Sequence, residues 1–210
     1  MDPSLRDRKK LRTRDALCHA ALDLFGSRGF EATTLDDIAA VVEVSKRTVL
    51  RYFTGKEDVL LAVFRQTATL TRRELERRPA YETPLTALRE ATAHALREVA
   101  RDLPEYHGTP TCLAVLRLVA VTPCLFASLH HVLLCEQEAL AAILAAREGI
   151  PAASADPRPG LLVAVHAAAM TVAIRGWQAT GPGDLDTLLA TVDTCLDQLA
   201  PTVSGHWSAR

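Results

Sequence analysis

Residues Thr34 to Phe53 read TLDDIAAVVEVSKRTVLRYF. Two short helices fit this stretch, each beginning at a hydroxyl residue that caps helices well, Thr34 and Ser45. Asp37 follows Thr34 by three residues, as in a variant of the capping box. The helices are joined by a turn of only three residues, so they cross closely, and Ala39 supplies the small side chain that this crossing requires. The stretch predicts a helix-turn-helix.

The apolar and polar residues of this pair separate onto two faces. The predicted core of the helix-turn-helix consists of Ile38, Ala39, Val42, Val44, Val49 and Phe53. The outer face then carries Lys46, Arg47, Thr48, Leu50 and Arg51. Arginine reads guanine edges in the major groove of DNA and threonine contacts the thymine methyl, so this face suits base reading. Taken alone, the pair also fits an ordinary helical hairpin with a solvated charged face.

Charge is distributed unevenly along the 210-residue chain, whose formal net charge is −1. Residues 1–56 hold eleven Lys/Arg and eight Asp/Glu, a net charge of +3, while residues 57–210 have a net charge of −4. A basic segment on an acidic body favours a polyanionic partner at one end. At 49% hydrophobic residues the chain is not disordered, and five cysteines without CxxC spacing do not form a disulfide scaffold.

Helix-forming residues dominate the whole sequence, and proline or glycine stands at most of the expected helix ends. We predict an all-α fold of about nine helices. Besides the helix-turn-helix pair, ending at Val42 and spanning Ser45–Phe53, the predicted helices are Leu11–Ser27, Lys56–Arg78, Pro84–Asp102, Pro110–Val121, Pro123–Glu148, Gly160–Thr180 and Asp184–Leu199.

Neither a signal peptide nor a membrane span is predicted. The N-terminus lacks an apolar stretch, and the most apolar window, Leu161 to Ile174, is shorter than the ~20 residues that a spanning helix needs. We therefore expect a cytoplasmic protein, with no membrane partner, whose cysteines are reduced thiols.

The N-terminal quarter resembles the TetR-type (TetR/AcrR-like) transcriptional regulators. The resemblance is carried continuously over about fifty residues, by Arg12-Thr13-Arg14, Ala20-Ala21, Leu24-Phe25, Gly29-Phe30, Thr33-Thr34, Asp37-Ile38-Ala39, Val44 to Val49, Arg51-Tyr52-Phe53 and Lys56 to Leu60. It implies a three-helix DNA-binding domain over residues 1–56 and a larger helical ligand-binding and dimerisation domain over 57–200, with a flexible tail at 201–210.

The resemblance also implies the residues that bind a double-stranded DNA operator, namely Thr34, Ser45, Lys46, Arg47, Thr48, Leu50, Arg51, Tyr52 and Lys56. Thr34, Tyr52 and Lys56 would bind phosphates, and residues 46–48 would meet base edges. The basic stretch from Arg6 to Arg14 would follow the DNA backbone or enter the minor groove, or form a solvated tail. Two residues depart from the family pattern. Glu43 stands where glycine usually takes positive φ, and Leu50 replaces an aromatic residue that contacts the backbone of DNA.

The C-terminal part is loosely similar to an actinobacterial subset that includes regulators like those of the mycofactocin system, through Leu116 to Val119, Thr122-Pro123 and Ile174 to Trp177. Family membership implies a homodimer formed by the last two long helices. The predicted interface comprises Val165, Leu185, Leu188, Leu189, Val192, Leu196 and Leu199. These residues also fit the core of a single chain.

Membership further implies a cavity for a small-molecule effector. The candidate lining residues are Phe64, Leu88, His94, Cys112, Leu116, Arg117, Phe126, His130, Met170, Ile174, Arg175 and Trp177. Arg175 is the first polar candidate, because a guanidinium buried in an apolar run needs a carboxylate partner or an anionic ligand.

Two alternatives stay open. A metal- or redox-responsive regulator would use Cys112, Cys124, Cys135 and His131, where His131 and Cys135 are four residues apart on a predicted helix. A helical enzyme or metal-binding bundle is the more remote one, since no GxSxG, HExxH, P-loop or GxGxxG motif occurs. The sequence therefore predicts a ligand-responsive DNA-binding regulator, acting as a repressor, with no catalytic residues, metal or cofactor.

Overall fold

The structure is a computed structural model that describes residues 5–101, 115–116, 118–119, 122–179 and 184–199. The side chains at positions 5–8, 11, 123, 124, 126 and 130 lie outside this description. The described residues form eight labelled helices and no strands: α1 Leu5–Arg28, α2 Leu35–Val41, α3 Lys46–Leu50, α4 Lys56–Arg77, α5 Pro84–Arg101, α6 Pro123–Arg147, α7 Arg158–Ala179 and α8 Leu185–Asp197. The predicted all-α class is confirmed. Of the predicted helix at Pro110–Val121, residues 115–116 and 118–119 are helical and the rest lies outside the described residues.

Two predicted helix bounds were wrong in ways that matter for function. α1 begins at Leu5 rather than at Leu11, so the basic N-terminal stretch forms its first turns instead of a separate arm. α3 ends at Leu50, three residues before the predicted end at Phe53. The next backbone N–H groups, of Arg51 and Tyr52, bond to the carbonyls three residues back, at Thr48 and Val49, so the chain tightens out of the α-helix there.

The turn between α2 and α3 confirms the local signals in the sequence. Thr34 and Asp37 form a reciprocal capping box at the start of α2, and the Ser45 side chain accepts a hydrogen bond from the N–H of Thr48. Glu43 has φ 56°, the left-handed conformation that glycine adopts without strain. This conformation costs a non-glycine residue about 1 kcal/mol, which the packing on both sides of the turn must offset.

Three clusters of buried apolar residues hold the helices together. The first joins α1, α2, α3 and the first turns of α4, and it includes Ile38, Ala39 and Val49. It continues into the body through Val115, Val119, Leu125 and Leu129, so no gap in packing separates residues 1–56 from the rest. The second joins α5, α7 and α8 around Trp177, and the third joins α4, α5, α6 and α7 around Leu75 and Leu144. α4 therefore packs against α1 on one side and against α5 and α6 of the body on the other.

Candidate functional site

The first turn of α3 presents a polar, cationic surface to solvent. Ser45, Lys46 and Arg47 are exposed there, while Val49 on the opposite face is fully buried. The Ser45 Oγ accepts from the Thr48 backbone N–H at 3.1 Å and lies 2.9 Å from the Thr48 hydroxyl. This cap fixes the first turn and leaves Thr48 half-buried. The exposed end of α3 is thus a helix N-terminus held rigidly by its own cap.

The two cations of this turn differ in their surroundings. The ammonium of Lys46 donates to Asp36 Oδ2 of α2 at 2.7 Å, and both side chains are at least half-exposed. Arg47 forms no ion pair within the described part of the chain. Arg47 is therefore ready to meet an acceptor, whereas Lys46 must first leave Asp36.

The residues that follow α3 extend the surface. The Arg51 guanidinium carbon lies 5.4 Å from the centroid of the Tyr52 ring, which orients the guanidinium by a cation–π contact. Leu50 beside them is 49% exposed. An exposed apolar residue between cations matches a partner that offers both negative charge and methyl groups.

Thr34 lies exposed at the N-terminus of α2, with its polar groups already paired. Its backbone N–H donates to Asp37 Oδ2 at 2.9 Å, and its hydroxyl accepts from the Asp37 N–H at 3.2 Å. The Thr34 hydroxyl also donates to Asp37 Oδ2, at 2.5 Å, and this bond, followed by the one from the backbone N–H, is the main reason why the pKa of Asp37 lies below its ordinary value. A phosphate bound here would have to compete with the Asp37 carboxylate.

Lys56, a predicted phosphate ligand, contacts the backbone of its own chain in this structure. Its ammonium donates to the carbonyl oxygens of Phe30 at 2.8 Å, Thr33 at 3.2 Å and Glu31 at 3.3 Å, and lies 4.4 Å from the Phe30 ring centroid. An ammonium has three N–H donors, and three carbonyls occupy them. Lys56 therefore ties the loop between α1 and α2 to the start of α4, and its role as a phosphate ligand stays a prediction.

A cavity of about 210 Å³ lies in the body, between α4, α5, α6 and α7. Five of the predicted lining residues border it: Phe64, Leu116, Met170, Ile174 and Arg175. Arg175 is exposed rather than buried, so the reason given for expecting an anionic ligand does not apply.

Other predicted lining residues lie elsewhere. Leu88 and Trp177 are fully buried in apolar clusters, because their helix faces point to neighbouring helices, and His94 faces solvent. Cys112, Arg117 and the side chains of Phe126 and His130 lie outside the described residues.

Sequence reasoning missed most of the polar residues of the cavity. These are Thr67, Thr71, Thr92, Glu136, Gln137, His166 and Thr171. His166 was visible as a polar interruption of the apolar window from Leu161 to Ile174, but its direction depends on how the helix is rotated. The threonines 67 and 71 are four residues apart, the spacing that places side chains on one helix face.

The predicted dimer residues of the last helix face inward. Leu185, Leu188, Leu189, Val192 and Leu196 are buried in the chain's own second cluster, with Leu199 packed against it, and Val165 is half-buried. This stripe packs α8 against α7 and α5 within one chain, the alternative that the sequence also allowed, and a dimer formed by the last two long helices stays a prediction. A different surface is exposed on α7, a stripe at helical spacing formed by Leu161, Ala164, Ala168, Val172, Gly176 and Ala179.

Thiols and histidines do not gather into a metal site in the described part of the chain. His131 and Cys135 are both exposed on α6. Burial raises the pKa of the Cys18 thiol to about 12, which keeps it protonated and unreactive. Cys112 and the Cys124 side chain are outside the described residues, so the metal- or redox-responsive alternative stays a prediction.

α6 and α7 are long and apolar enough to cross a membrane by length and composition alone. α7 runs over 22 residues, longer than the window judged from the sequence. Both helices contribute buried residues to the third apolar cluster, and α7 also contributes buried residues to the second. Within the chain, 12% of the most apolar window of α6 and 28% of that of α7 are buried.

Geometry and fold together define a helix-turn-helix protein with an all-helical body. Residues 17–63 match the family model of bacterial regulatory proteins of the tetR family, and residues 82–204 match that of the MftR C-terminal domain. The chain is 40% identical to the HTH-type transcriptional regulator TcmR of Streptomyces glaucescens over 207 residues, which are 98% of this chain and 90% of TcmR. The chain belongs to the TetR family of transcriptional regulators.

Solved structures agree on the fold. A TetR-family regulator from Syntrophomonas wolfei superposes with a TM-score of 0.60 at 16% identity, over 96% of this chain and all of that one. SmeT, the repressor of a multidrug efflux pump of Stenotrophomonas maltophilia, superposes with a TM-score of 0.56 at 19% identity, over 88% of each chain. The resemblance seen in both halves of the sequence is thus confirmed, and the protein is a transcriptional regulator, not an enzyme. Regulators of this family bind DNA as dimers, respond to small molecules and are soluble.

Proposed function

We propose that the chain is a cytoplasmic, ligand-responsive repressor that binds a pseudo-palindromic DNA operator as a homodimer. The observation that carries this proposal is the exposed, capped N-terminal turn of α3, with Ser45, Lys46 and Arg47 facing solvent on a helix whose other face is buried. A helix end of this width and chemistry fits the major groove, and two copies related by a two-fold axis read two half-sites.

Base reading is assigned to the exposed residues of α3. Arg47 would bind a guanine edge, Lys46 would bind a base or phosphate after leaving Asp36, and Leu50 would contact a thymine methyl. Arg51, held against Tyr52, and the exposed Lys9, Lys10 and Arg12 of α1 would bind phosphates. Ser45 and Thr48 act mainly through the cap, and Lys56 holds the reading domain together rather than clamping a phosphate.

Dimerisation is assigned to the exposed side of α7. Its stripe combines two large side chains, Leu161 and Val172, with the small residues Ala164 and Ala168 between them and Gly176 beyond Val172. Leu161 and Val172 are 63% and 61% exposed, and an exposed apolar row of this length is typical of a helix that meets a partner. Small residues allow two such helices to approach closely, and the solvent-facing side of α8, with Thr187, Ala190 and Thr194, would complete a four-helix contact.

Coupling between effector and DNA is assigned to α4. Its middle turns line the cavity through Phe64, Thr67 and Thr71, and its first residue, Lys56, binds the loop that leads into α2. At its other end, Arg147 of α6 donates to the carbonyls of Leu75, Arg78 and Pro79. An effector that binds one arrangement of α4 more tightly would shift the two α3 helices relative to each other.

Selection of bound sequences from a random pool of duplex DNA tests the proposal. The full-length protein is expected to enrich an inverted repeat whose half-sites lie one helical turn, about 10 base pairs, apart or a multiple of it. Enrichment of a single half-site without symmetry would contradict the dimeric mode, and recovery of no preferred sequence would contradict base reading by α3.

A further inference from the structure

The threonines that line the effector cavity share one hydrogen-bonding arrangement. Four threonines line it, Thr67 and Thr71 on α4, Thr92 on α5 and Thr171 on α7. Each hydroxyl donates its hydrogen to the carbonyl four residues earlier in its own helix, at 2.9 to 3.0 Å. A hydroxyl has only one hydrogen, so in this arrangement these four groups present acceptor lone pairs to the cavity.

His166 is the buried imidazole among the residues that line the cavity. It is 6% exposed on α7, and its Nε2 is buried with no hydrogen-bond partner. Burial lowers the pKa of this imidazole to about 4, so it is neutral at pH 7. A buried nitrogen without a partner costs free energy, and a ligand group that bonds to it recovers this cost.

The two charged residues that line the cavity, Glu136 and the exposed Arg175, have opposite signs, so charge alone does not select an anion. The Glu136 carboxylate is a further acceptor, with Oε2 3.0 Å from the Arg72 guanidinium. Most of the remaining lining is aliphatic or aromatic, for example Phe64, Leu116 and Met170. An apolar cavity of about 150 Å³ in another protein takes benzene, so about 210 Å³ suffices for a larger ring-containing molecule.

We propose that the effector is an uncharged, mainly apolar ring compound carrying at least one hydroxyl group, which hydrogen-bonds to His166 and to the acceptor oxygens of Thr71 and Thr171. A ligand hydroxyl donates to a threonine oxygen and matches His166 in either tautomer, because a hydroxyl both donates and accepts. An ether or ketone only accepts, so it meets none of the four threonines. This inference rests on the proposed function, since it assumes that the cavity is the effector site.

Three naphthalene probes of similar size separate the possibilities. 2-Naphthol carries a hydroxyl, 2-methoxynaphthalene only accepts, and 2-naphthoate is an anion at pH 7. Calorimetric titration of the full-length protein, without DNA, is expected to show that 2-naphthol binds about tenfold more tightly than either of the others. In His166→Phe, which keeps a ring at that position, the preference for 2-naphthol over 2-methoxynaphthalene should fall to about threefold or less.

Thr71→Val keeps the shape of the side chain and removes one acceptor, so it should reduce the same preference independently if His166→Phe does not fold. Thr69→Val, the same change at an exposed threonine of α4 that does not line the cavity, should leave the preference unchanged. The proposal is overturned if the methoxy compound or the naphthoate binds as tightly as 2-naphthol to the parent protein, or if none of the three binds below about 1 mM. Failure of the proposed function would appear separately, as absence of a selected DNA sequence.

Discussion

Lys46 on α3 and Asp36 on α2 form an ion pair across the helix-turn-helix, with Nζ 2.7 Å from Oδ2. The pair occupies the surface assigned to DNA, so a cation that would meet the operator is held by a carboxylate of the same domain. Exposed pairs of this kind contribute little to stability, at most about 1 kcal/mol. The main effect of this pair is instead that Asp36 competes with DNA for Lys46.

Removing the carboxylate should therefore strengthen binding to any duplex. In Asp36→Asn, Lys46 is released and one negative charge leaves the DNA surface, so affinity at low salt should rise about two- to fivefold on operator and random DNA alike. Fluorescence anisotropy with both duplexes measures this. Glu76→Gln, an equal change of charge at an exposed position of α4, serves as the control and should change affinity less. Weaker binding by Asp36→Asn would mean that the pair positions Lys46 for the DNA.

Arg47 should carry sequence discrimination. Arg47→Ala is expected to weaken operator binding by about 1–3 kcal/mol, because a contact to a base is lost. Affinity for random duplex should change much less, because nonspecific binding depends on the other cations of the surface. Competition binding with the two duplexes measures the ratio. Operator affinity equal to that of the parent protein would rule out base reading by this residue.

Lys56 should be a stability residue. In Lys56→Met the aliphatic length is kept, but three backbone carbonyls of the α1–α2 loop lose their cationic donor, which should lower the free energy of unfolding by about 2 kcal/mol in urea denaturation. Lys46→Met should cost less than about 1 kcal/mol, since its pair is exposed. A Lys56→Met protein of unchanged stability that has lost DNA affinity would instead support the phosphate clamp implied by the family resemblance.

The exposed stripe of α7 should control association. Val172→Glu places a charge in the centre of the proposed dimer contact, where it would be desolvated, and the variant should sediment as a monomer with unchanged helix content by circular dichroism. Tyr81→Glu, at an 88% exposed position between α4 and α5, is the matched control and should sediment like the parent. A dimeric Val172→Glu protein would exclude this face.

His166 should make the protein acid-sensitive. Its pKa is about 4 when folded and near 6.5 when unfolded, so between these values the unfolded chain binds the extra proton. The free energy of unfolding therefore has its full value above about pH 6.5. It decreases as the pH falls to about 4, by up to about 3 kcal/mol. The other charged residues lining this cavity are Glu136 and Arg175. Urea denaturation at pH 7, 5.5 and 4.5 should show this loss in the parent and a flatter profile in His166→Phe.

Local signals in the sequence predicted the reading domain well. The Thr34–Asp37 box, the Ser45 cap and the left-handed Glu43 depend only on residues within a few positions of each other, and the structure contains all three. The partner of Lys56 was not predictable in this way. Its carbonyls lie 23 to 26 residues earlier, in a loop whose position is set by the packing of α1 on α4.

The body shows the converse problem. α8 has a clear apolar stripe, which predicted a buried face correctly but not what covers it, and its own chain does so. α7 is apolar nearly all round, so periodicity could not separate the side bearing Ala169 and Trp177, which is buried, from the side bearing Ala168 and Val172, which is exposed. The direction of His166 was hidden for the same reason.

The apolar stripe of α7 makes the amount of regulator a variable of the switch. In the proposed dimer this surface is covered only when two copies meet, so each tenfold change in protein concentration shifts the monomer–dimer balance by about 1.4 kcal/mol. Dilution would then lower the concentration of the dimer by a larger factor than the total concentration of the protein. A cell that lowers expression slightly would relieve repression more than in proportion, before any effector arrives.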